Sequence, residues 1–232
     1  MYALASPPTL YSMCADSPRF ANYLPNFFET EDPKRARELI LTKNFTMSSD
    51  ERWEKETPYL LDKIFKALPL STEHLVLDYG CGIGRLAKGI IEKYRCRVLG
   101  IDISSSMRAM AENHVGSTLF RAIHPTQLDI ELSSGLTVDH AYAVWVLQHT
   151  ADPHQELERL QRAIKPGGSL YLVNTAGRCV PCDLGWVNDG IDIYGLMPTY
   201  GFREAHKEQM DLYPDGGDPG KAHWLVTFQR MA

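Results

Sequence analysis

Short apolar runs alternate with amphipathic stretches through most of this 232-residue chain. The runs indicate buried strands, and the stretches show the spacing of apolar positions that is typical of helices. This alternation predicts an α/β fold, in which a parallel sheet carries helices on both faces. The predicted strands of this core lie at 74–79, 96–101, 118–122, 138–145 and 169–174.

The N-terminal part is less regular. Prolines and scattered aromatic residues over 1–32 predict an irregular arm. A short helix is expected over 33–42, and a longer one begins at a capping box that starts with Ser48. We therefore divide the chain into two parts. Residues 1–70 form an arm with helices, which is expected to cover the functional site, and residues 71–232 form a core domain.

The C-terminal half predicts two departures from regular alternation. The crossover at 117–137 leaves little room for a full helix, so it is expected to be short or irregular. An insertion with a weak helix is predicted at 176–200. Two late strands, 203–213 and 224–230, flank the turn-rich segment 214–220.

One strand ends in an acid and runs into alternate glycines. The stretch LVLDYGCGIG begins at Leu75, so Asp78 is followed by Gly80, Gly82 and Gly84, and an amphipathic helix comes next. Glycine lets the backbone come close to a ligand and adopts the dihedral angles of tight turns. The N–H groups of the helix start then face the ligand. An ordinary tight turn is the alternative interpretation.

Asp102, at the end of the next strand, suits a nucleoside ligand because such an acid can accept hydrogen bonds from both ribose hydroxyls. Its alternative role is to cap the following helix. The glycine spacing differs from that of dinucleotide-binding folds. Counting from Gly80, the third glycine position holds Arg85, and counting from Gly82 it holds Ala87.

The pattern D-x-G-x-G-x-G instead resembles motif I of the class I S-adenosylmethionine-dependent methyltransferases. Two further landmarks follow in the family's order: VDHAYAVWVLQH from residue 138, and LQRAIKPGGSLYLV from residue 160. The resemblance extends from about residue 73 to the C-terminus. It implies a three-layer Rossmann-like sheet of seven strands, mostly parallel with an antiparallel C-terminal strand and helices on both faces.

The resemblance also implies where S-adenosyl-L-methionine binds. The glycine loop would run beside its methionine part and ribose, with Asp78 near the amino group, Asp102 on the ribose hydroxyls, and backbone carbonyls of Ala143 and Val144 near the amine. The implied cofactor-binding residues are Asp78, Gly80, Cys81, Gly82, Gly84, Asp102, Ile103, Met107, Ile123, His124, Ala143, Val144 and Trp145.

One position departs from the family pattern. The family usually has an acid after the third strand, and it accepts a hydrogen bond from the adenine amine. This chain has Ile123-His124-Pro125 there, and Asp129 is too far along. His124 or a backbone group would have to replace the acid, unless His124 is simply a loop residue.

His149 is the candidate catalytic residue. It follows the fourth strand, and an imidazole titrates near neutrality, so it could act as a general base if the acceptor must lose a proton. Anchoring of its own loop is the alternative. Cys179 and Cys182 form a pair, but a zinc site needs two more ligands and no second paired motif exists, so no metal is expected.

Composition limits the classes of partner that we expect for this chain. The net charge of −5 and the lack of a basic run argue against nucleic acid, and no apolar segment approaches the ~20 residues of a membrane span. Five scattered cysteines favour a reducing, cytoplasmic location. A monomer or a homodimer is expected.

Together these features predict a methyltransferase that moves a methyl group from S-adenosylmethionine to an O, N or C atom of a small molecule and releases S-adenosylhomocysteine. A protein side chain as acceptor remains an alternative, and so does a cofactor-binding regulator without turnover. A nicotinamide oxidoreductase would require the third glycine that is missing.

Overall fold

Strands and helices alternate through the part of the chain that the computed structural model describes, residues 22–43, 47–175, 177–212 and 223–232. The strands are β1 (Leu75–Tyr79), β2 (Arg97–Ile101), β3 (Phe120–Ile123), β4 (Val138–Val144), β5 (Ile164–Thr175), β6 (Val180–Cys182), β7 (Gly185–Val187), β8 (Phe202–Gln209) and β9 (His223–Arg230). The α-helices are α1 (Pro33–Ile40), α2 (Ser49–Ala67), α3 (Arg85–Tyr94), α4 (Ser105–Val115), α5 (Pro125–Ser133), α6 (Pro153–Ala163) and α7 (Ile193–Leu196). Short 3-10 turns cover Pro25–Phe28, Leu147–His149 and Met197–Tyr200.

A seven-stranded sheet has the order β3-β2-β1-β4-β5-β9-β8. Neighbouring strands from β3 to β5 pair in parallel, whereas β9 lies antiparallel between β5 and β8. This arrangement confirms the predicted Rossmann-like fold class. Because the strand order reverses between β1 and β4, the carboxyl ends of these strands border the crevice where ligands of such sheets bind.

Apolar side chains cover both faces of the sheet. Along β1, Val76 packs in a cluster with Leu60 of α2 and Ile90 of α3, whereas Leu77 packs in a second cluster with Leu160 of α6. Successive strand residues point to opposite faces, so an unbroken apolar run supplies both clusters. This explains why the core strands are continuous apolar segments.

Two segments differ from their predictions. The crossover between β3 and β4 contains a regular helix, α5, rather than an irregular connection. It begins at Pro125, whose fixed φ suits the first helical position, and His124 supplies the cap. The predicted insertion contains an antiparallel pair, β6 and β7, before the short helix α7. Residues 1–21 of the predicted arm and the predicted turn at 214–220 lie outside the described residues.

The capping box of α2 is confirmed. The Ser48 hydroxyl accepts a hydrogen bond from the Glu51 N–H at 3.2 Å, and the Glu51 carboxylate accepts from the Ser48 N–H at 2.8 Å. Two N–H groups at the helix start are thereby satisfied.

We predict that Ser48→Ala lowers the free energy of unfolding by about 1 kcal/mol, because the cap is lost. Urea denaturation measures the difference. Ser48→Asp keeps a capping oxygen and is the matched control, so it should stay near the wild-type value. Equal losses in both variants would contradict a capping role.

Candidate functional site

The loop that links β1 to α3 has the backbone conformation that its glycines predict. Gly80, Gly82 and Gly84 have φ of 78°, 53° and 78°, in the left-handed region that favours glycine. A Cβ on Gly82 would also lie 2.8 Å from the side chain of Ile40 in α1. The loop therefore combines a glycine-only conformation with a close approach by residues 22–43, which we call the N-terminal segment.

Asp78, the second-to-last residue of β1, is a buried acid with an unsatisfied oxygen. Asp78 is 4% exposed, and within the described residues its Oδ2 has no hydrogen-bond partner. Burial raises the pKa of Asp78 to about 7; the carboxylate of Asp102 raises it as well, whereas the Tyr142 hydroxyl and Arg85 oppose the shift. A buried carboxylate with an unsatisfied oxygen is costly, and a cationic ligand group would relieve that cost.

Asp102 follows β2 and faces the same loop. Its Oδ2 accepts from the Gly82 N–H at 2.9 Å, and its Oδ1 accepts from the Ser104 N–H at 3.0 Å. Burial raises the pKa of Asp102, while these two backbone hydrogen bonds oppose the rise. The cap of α4 is Ser104 itself, which accepts from the Met107 N–H. Each carboxylate oxygen makes one backbone bond, which leaves lone pairs that can accept from ligand hydroxyls.

A small cavity lies between the glycine loop and the ends of β1 and β4. Five of the predicted cofactor residues line it, and three residues that were not predicted join them. The lining residues are Ile40, Asp78, Gly80, Cys81, Gly82, Arg85, Leu86 and Val144. Burial raises the pKa of the Cys81 thiol, so that residue contributes as a small neutral side chain.

The residues predicted for the adenine end lie near Asp102 in sequence and along the ends of β2 and β3. Met107 is 2% exposed and packs in a cluster with Ile83 and the N-terminal helices. The Nδ1 atom of His124 accepts from the Thr126 N–H at 3.2 Å, so this side chain caps α5. Asp129 forms an ion pair with Arg159 at 2.9 Å. That pairing agrees with the expectation that Asp129 does not replace the missing acid.

The segment after β4 bends sharply at Trp145. This residue has φ of 60°, which is strained for a bulky side chain. The Trp145 N–H donates to the Val173 carbonyl at 2.8 Å, which fixes the bend beside β5. Its indole Nε1 is buried and has no partner within the described residues, and its ring meets His223 edge-on at 4.9 Å. Strain held in this way is common at ligand sites.

Both ring nitrogens of His149 are engaged. Nδ1 lies 2.6 Å from the Cys179 carbonyl oxygen, and Nε2 lies 3.1 Å from the Gln148 side-chain nitrogen. A carbonyl only accepts, so Nδ1 carries the proton and Nε2 accepts from Gln148. Burial lowers the pKa of His149 to about 4. This geometry favours the anchoring alternative, and a general-base role has no contact to support it.

Aromatic rings from two segments contact His149. Phe28 lies 5.8 Å from its ring, and Trp186 of β7 lies 5.6 Å from it, both measured between ring centroids. Phe27 meets Trp186 edge-on at 4.6 Å. We call Phe27, Phe28, His149 and Trp186 the aromatic cluster. It joins the N-terminal segment, the loop after β4 and the β6–β7 pair.

Glu29 ties the N-terminal segment to the Asp102 side of the crevice. Its carboxylate accepts from the Ser105 N–H at 2.7 Å and from the Ser106 hydroxyl at 2.6 Å. Burial acts to raise the pKa of Glu29, but hydrogen bonds from Ser106, Ser105 and Ser104 lower it to about 2. The segment thus docks on the start of α4, directly after Asp102.

Two further observations concern the described ranges only. They contain no group of three or more His, Cys, Asp and Glu side chains arranged to hold a metal ion. Nor does any helix there have the length and apolar character needed to cross a membrane.

Comparison with known proteins gives a consistent picture. A family model described as a methyltransferase domain matches residues 77–170. N-demethylindolmycin N-methyltransferase from Streptomyces griseus is 30% identical over 132 residues, 53% of this chain and 54% of that protein. Ubiquinone biosynthesis O-methyltransferase from Coxiella burnetii is 27% identical over 165 residues, 69% of each chain. The chain thus spans about half the length of the first of these relatives.

Solved structures agree on the fold. A putative sarcosine dimethylglycine methyltransferase from Galdieria sulphuraria has a TM-score of 0.61 at 14% identity, with 79% of this chain and 88% of that chain covered. Geranyl diphosphate C-methyltransferase from Streptomyces coelicolor, in complex with S-adenosyl-L-homocysteine, has a TM-score of 0.62 at 11% identity, with 83% and 88% covered.

The residues present fit the cofactor of this family. The glycine loop allows close backbone approach, Asp78 offers a buried carboxylate to a cationic group, and Asp102 keeps free lone pairs for hydroxyls. The methyltransferase domain matched at 77–170, the relatives and the sheet order together support a class I S-adenosylmethionine-dependent methyltransferase.

Proposed function

We propose that this protein transfers a methyl group from S-adenosylmethionine to an O, N or C atom of a small-molecule acceptor and releases S-adenosylhomocysteine. The observation that carries the proposal is the buried Asp78 oxygen without a partner, which lies beside the glycine loop and near Asp102. The relatives support a small acceptor, because their names specify an indolmycin precursor and ubiquinone biosynthesis.

The roles that we propose for the individual residues are those that the resemblance to the family implies. Asp102 would hold the ribose hydroxyls, Asp78 would face the amino group, and Ile103 and Met107 would line the adenine. Carbonyls of Ala143 and Val144, next to Trp145, would approach the amine. Near adenine, Ile123 and the cap residue His124 would take the place of the usual acid. The assigned loop residues are Gly80, Cys81, Gly82 and Gly84.

Methyl transfer asks little chemistry of these side chains. When bound, the cofactor supplies an activated methyl group on a sulfonium with a good leaving group. The protein has to align the acceptor and exclude water. The aromatic cluster is our candidate for this task, since its rings join the N-terminal segment, the loop that follows β4 and the β6–β7 pair. A proton-accepting role for His149 stays part of the proposal only if an acceptor displaces one of its two hydrogen-bond partners.

We also propose the roles of the two parts of the chain, the location of the protein and its oligomeric state. Residues 1–70 would cover the active site and 71–232 would form the cofactor-binding domain. The acidic composition and the scattered cysteines support a cytoplasmic monomer or homodimer without nucleic-acid or membrane partners.

Calorimetric titration with S-adenosylmethionine, followed by an assay for released S-adenosylhomocysteine, tests the proposal. The acceptor panel should contain amines, phenols and activated carbon acids, with a protein extract as a separate arm. Binding with turnover of one small molecule supports it. Turnover only with the extract favours a protein acceptor, and binding without any turnover favours a regulator.

We predict that Asp102→Ala weakens S-adenosylhomocysteine binding by roughly 1.5–3 kcal/mol for each lost charge-assisted hydrogen bond. Calorimetry gives the change in Kd. Asp102→Asn keeps the size of the side chain and one acceptor oxygen, so its Kd should lie between those of the wild type and Asp102→Ala. An unchanged Kd in Asp102→Ala would contradict the ribose assignment.

A second prediction concerns pH. Because burial raises the pKa of Asp78 to about 7, the carboxylate of the ligand-free protein becomes ionised between pH 6 and pH 8. Only the ionised form attracts an ammonium group, so affinity for S-adenosylhomocysteine should rise roughly tenfold over that range. Binding of 5′-methylthioadenosine, which lacks the amine, should stay flat. An equal rise in affinity for both ligands would show that a titrating group other than Asp78 causes the pH dependence.

The third prediction separates acceptor from cofactor. Trp186→Ala removes a ring of the aromatic cluster, so the KM of the acceptor should rise roughly five- to fiftyfold while the Kd of S-adenosylhomocysteine stays within about twofold. Leu184, 62% exposed in the same β6–β7 turn, provides the control Leu184→Ala, which should change neither value. A loss confined to cofactor binding would refute the placement.

A further inference from the structure

The carboxylate of Glu29 binds three consecutive serines at the start of α4. Its Oε1 accepts from the Ser105 N–H at 2.7 Å, and its Oε2 accepts from the hydroxyls of Ser104 at 3.0 Å and Ser106 at 2.6 Å. The first N–H groups of a helix have no partner within the helix, and an anion there also meets the positive end of the helix dipole. Glu29 therefore adds a second cap to α4 from a distant part of the chain.

Ser104 is shared between Glu29 and Asp102. Its N–H donates to Asp102 Oδ1 at 3.0 Å, while its hydroxyl donates to Glu29. Arg108 Nη1 donates to the carbonyls of Asp102 and Ile103 at 2.7 and 3.1 Å, which fixes the backbone of the same turn. A displacement of either carboxylate therefore disturbs the hydrogen bonds of Ser104.

The position of Glu29 also bears on the aromatic cluster. Phe27 and Phe28, two of its four rings, directly precede Glu29 in the chain. On the other side of Glu29, the Thr30 N–H donates to the Ser106 hydroxyl at 3.1 Å. The residues on either side of these two rings and the start of α4 are thus joined by a single set of hydrogen bonds.

Repulsion between the two carboxylates is the smaller effect. The charge of Glu29 raises the pKa of Asp102, but by less than the hydrogen bond from the Ser104 N–H lowers it. Although burial acts to raise the pKa of Glu29, the hydrogen bonds from the serines lower it to about 2, so this carboxylate is ionised at neutral pH. Loss of the hydrogen bonds therefore affects Asp102 more than relief of the repulsion does.

We propose that Glu29 is a positioning residue that couples the Asp102 side of the crevice to the aromatic cluster. Ligand hydroxyls on Asp102 hold it where it accepts from the Ser104 N–H, and this turn presents the three serines to Glu29. Nucleoside binding and docking of the N-terminal segment therefore strengthen each other by the same factor, as thermodynamic linkage requires. The inference rests on the proposed function, because the nucleoside is that of the proposed cofactor.

Two measurements on the full chain follow the two directions of this coupling. Calorimetry gives the Kd of S-adenosylhomocysteine. Hydrogen exchange with mass spectrometry gives the exchange rate of residues 22–32, without ligand and with saturating S-adenosylhomocysteine. The variants are Glu29→Gln and Ser106→Ala. Glu31→Gln is the matched control, because it removes the same charge from an exposed residue two positions along the chain.

In the wild type, S-adenosylhomocysteine should slow exchange over 22–32 roughly three- to tenfold. Glu29→Gln and Ser106→Ala should lose most of this slowing and bind the ligand roughly three- to tenfold more weakly, because hydrogen bonds of the coupling are lost. Asp102→Ala at saturating ligand should also lose the slowing, whereas Glu31→Gln should match the wild type. If Glu29→Gln does not fold, Ser106→Ala decides the question.

The outcomes separate this inference from the proposed function. A Kd in Glu29→Gln within about twofold of the wild type, or a full slowing of exchange in that variant, overturns the coupling even though the cofactor binds. Equal losses in Glu31→Gln overturn it as well, because they would show a general effect of charge. If the wild type does not bind S-adenosylhomocysteine, the proposed function fails together with the inference.

Discussion

The site depends on a carboxylate that the fold buries without fully satisfying it. Asp78 lies one residue before the end of β1, next to the point where the strand order reverses, and within the described residues its Oδ2 has no hydrogen-bond partner. Burial of this kind disfavours the charged form, which is why the pKa of Asp78 rises to about 7. A protein keeps such a group only when something offsets its cost, and a cationic ligand in the adjoining cavity would do so.

The N-terminal segment packs against the glycine loop, the start of α4 and the β6–β7 pair. Ile40 lies over Gly82, the Glu29 carboxylate docks on the start of α4, and the backbone of residues 22–24 bonds to the β6–β7 pair. Arg178 supports the loop after β4. Its buried guanidinium donates hydrogen bonds to the Asp189 carboxylate and to the carbonyls of Leu147 and Thr150. Phe28 and Arg178, which are far apart in sequence, thus both contact the loop after β4.

Much of the fold was predictable because its signals are local. Continuous apolar runs gave the core strands, and the glycines of the first loop gave its left-handed turns. Helix α5 was missed because His124 is an unusual cap, so the Pro125 signal had no conventional partner. Arg85 was missed for a different reason: an arginine at a helix start usually faces water, and only its contacts with Thr57 and Trp53 of α2 reveal its burial. The bend at Trp145 carries no glycine and so left no local trace.

The most direct test of this site is a crystal structure of the protein with S-adenosylhomocysteine. The amino group should lie within hydrogen-bond distance of Asp78 Oδ2, and both ribose hydroxyls should contact the Asp102 carboxylate, with the chain of the ligand along the glycine loop. Electron density for the ligand elsewhere, or a ribose that leaves Asp102 without contact, would contradict the assignment of this crevice as the cofactor site.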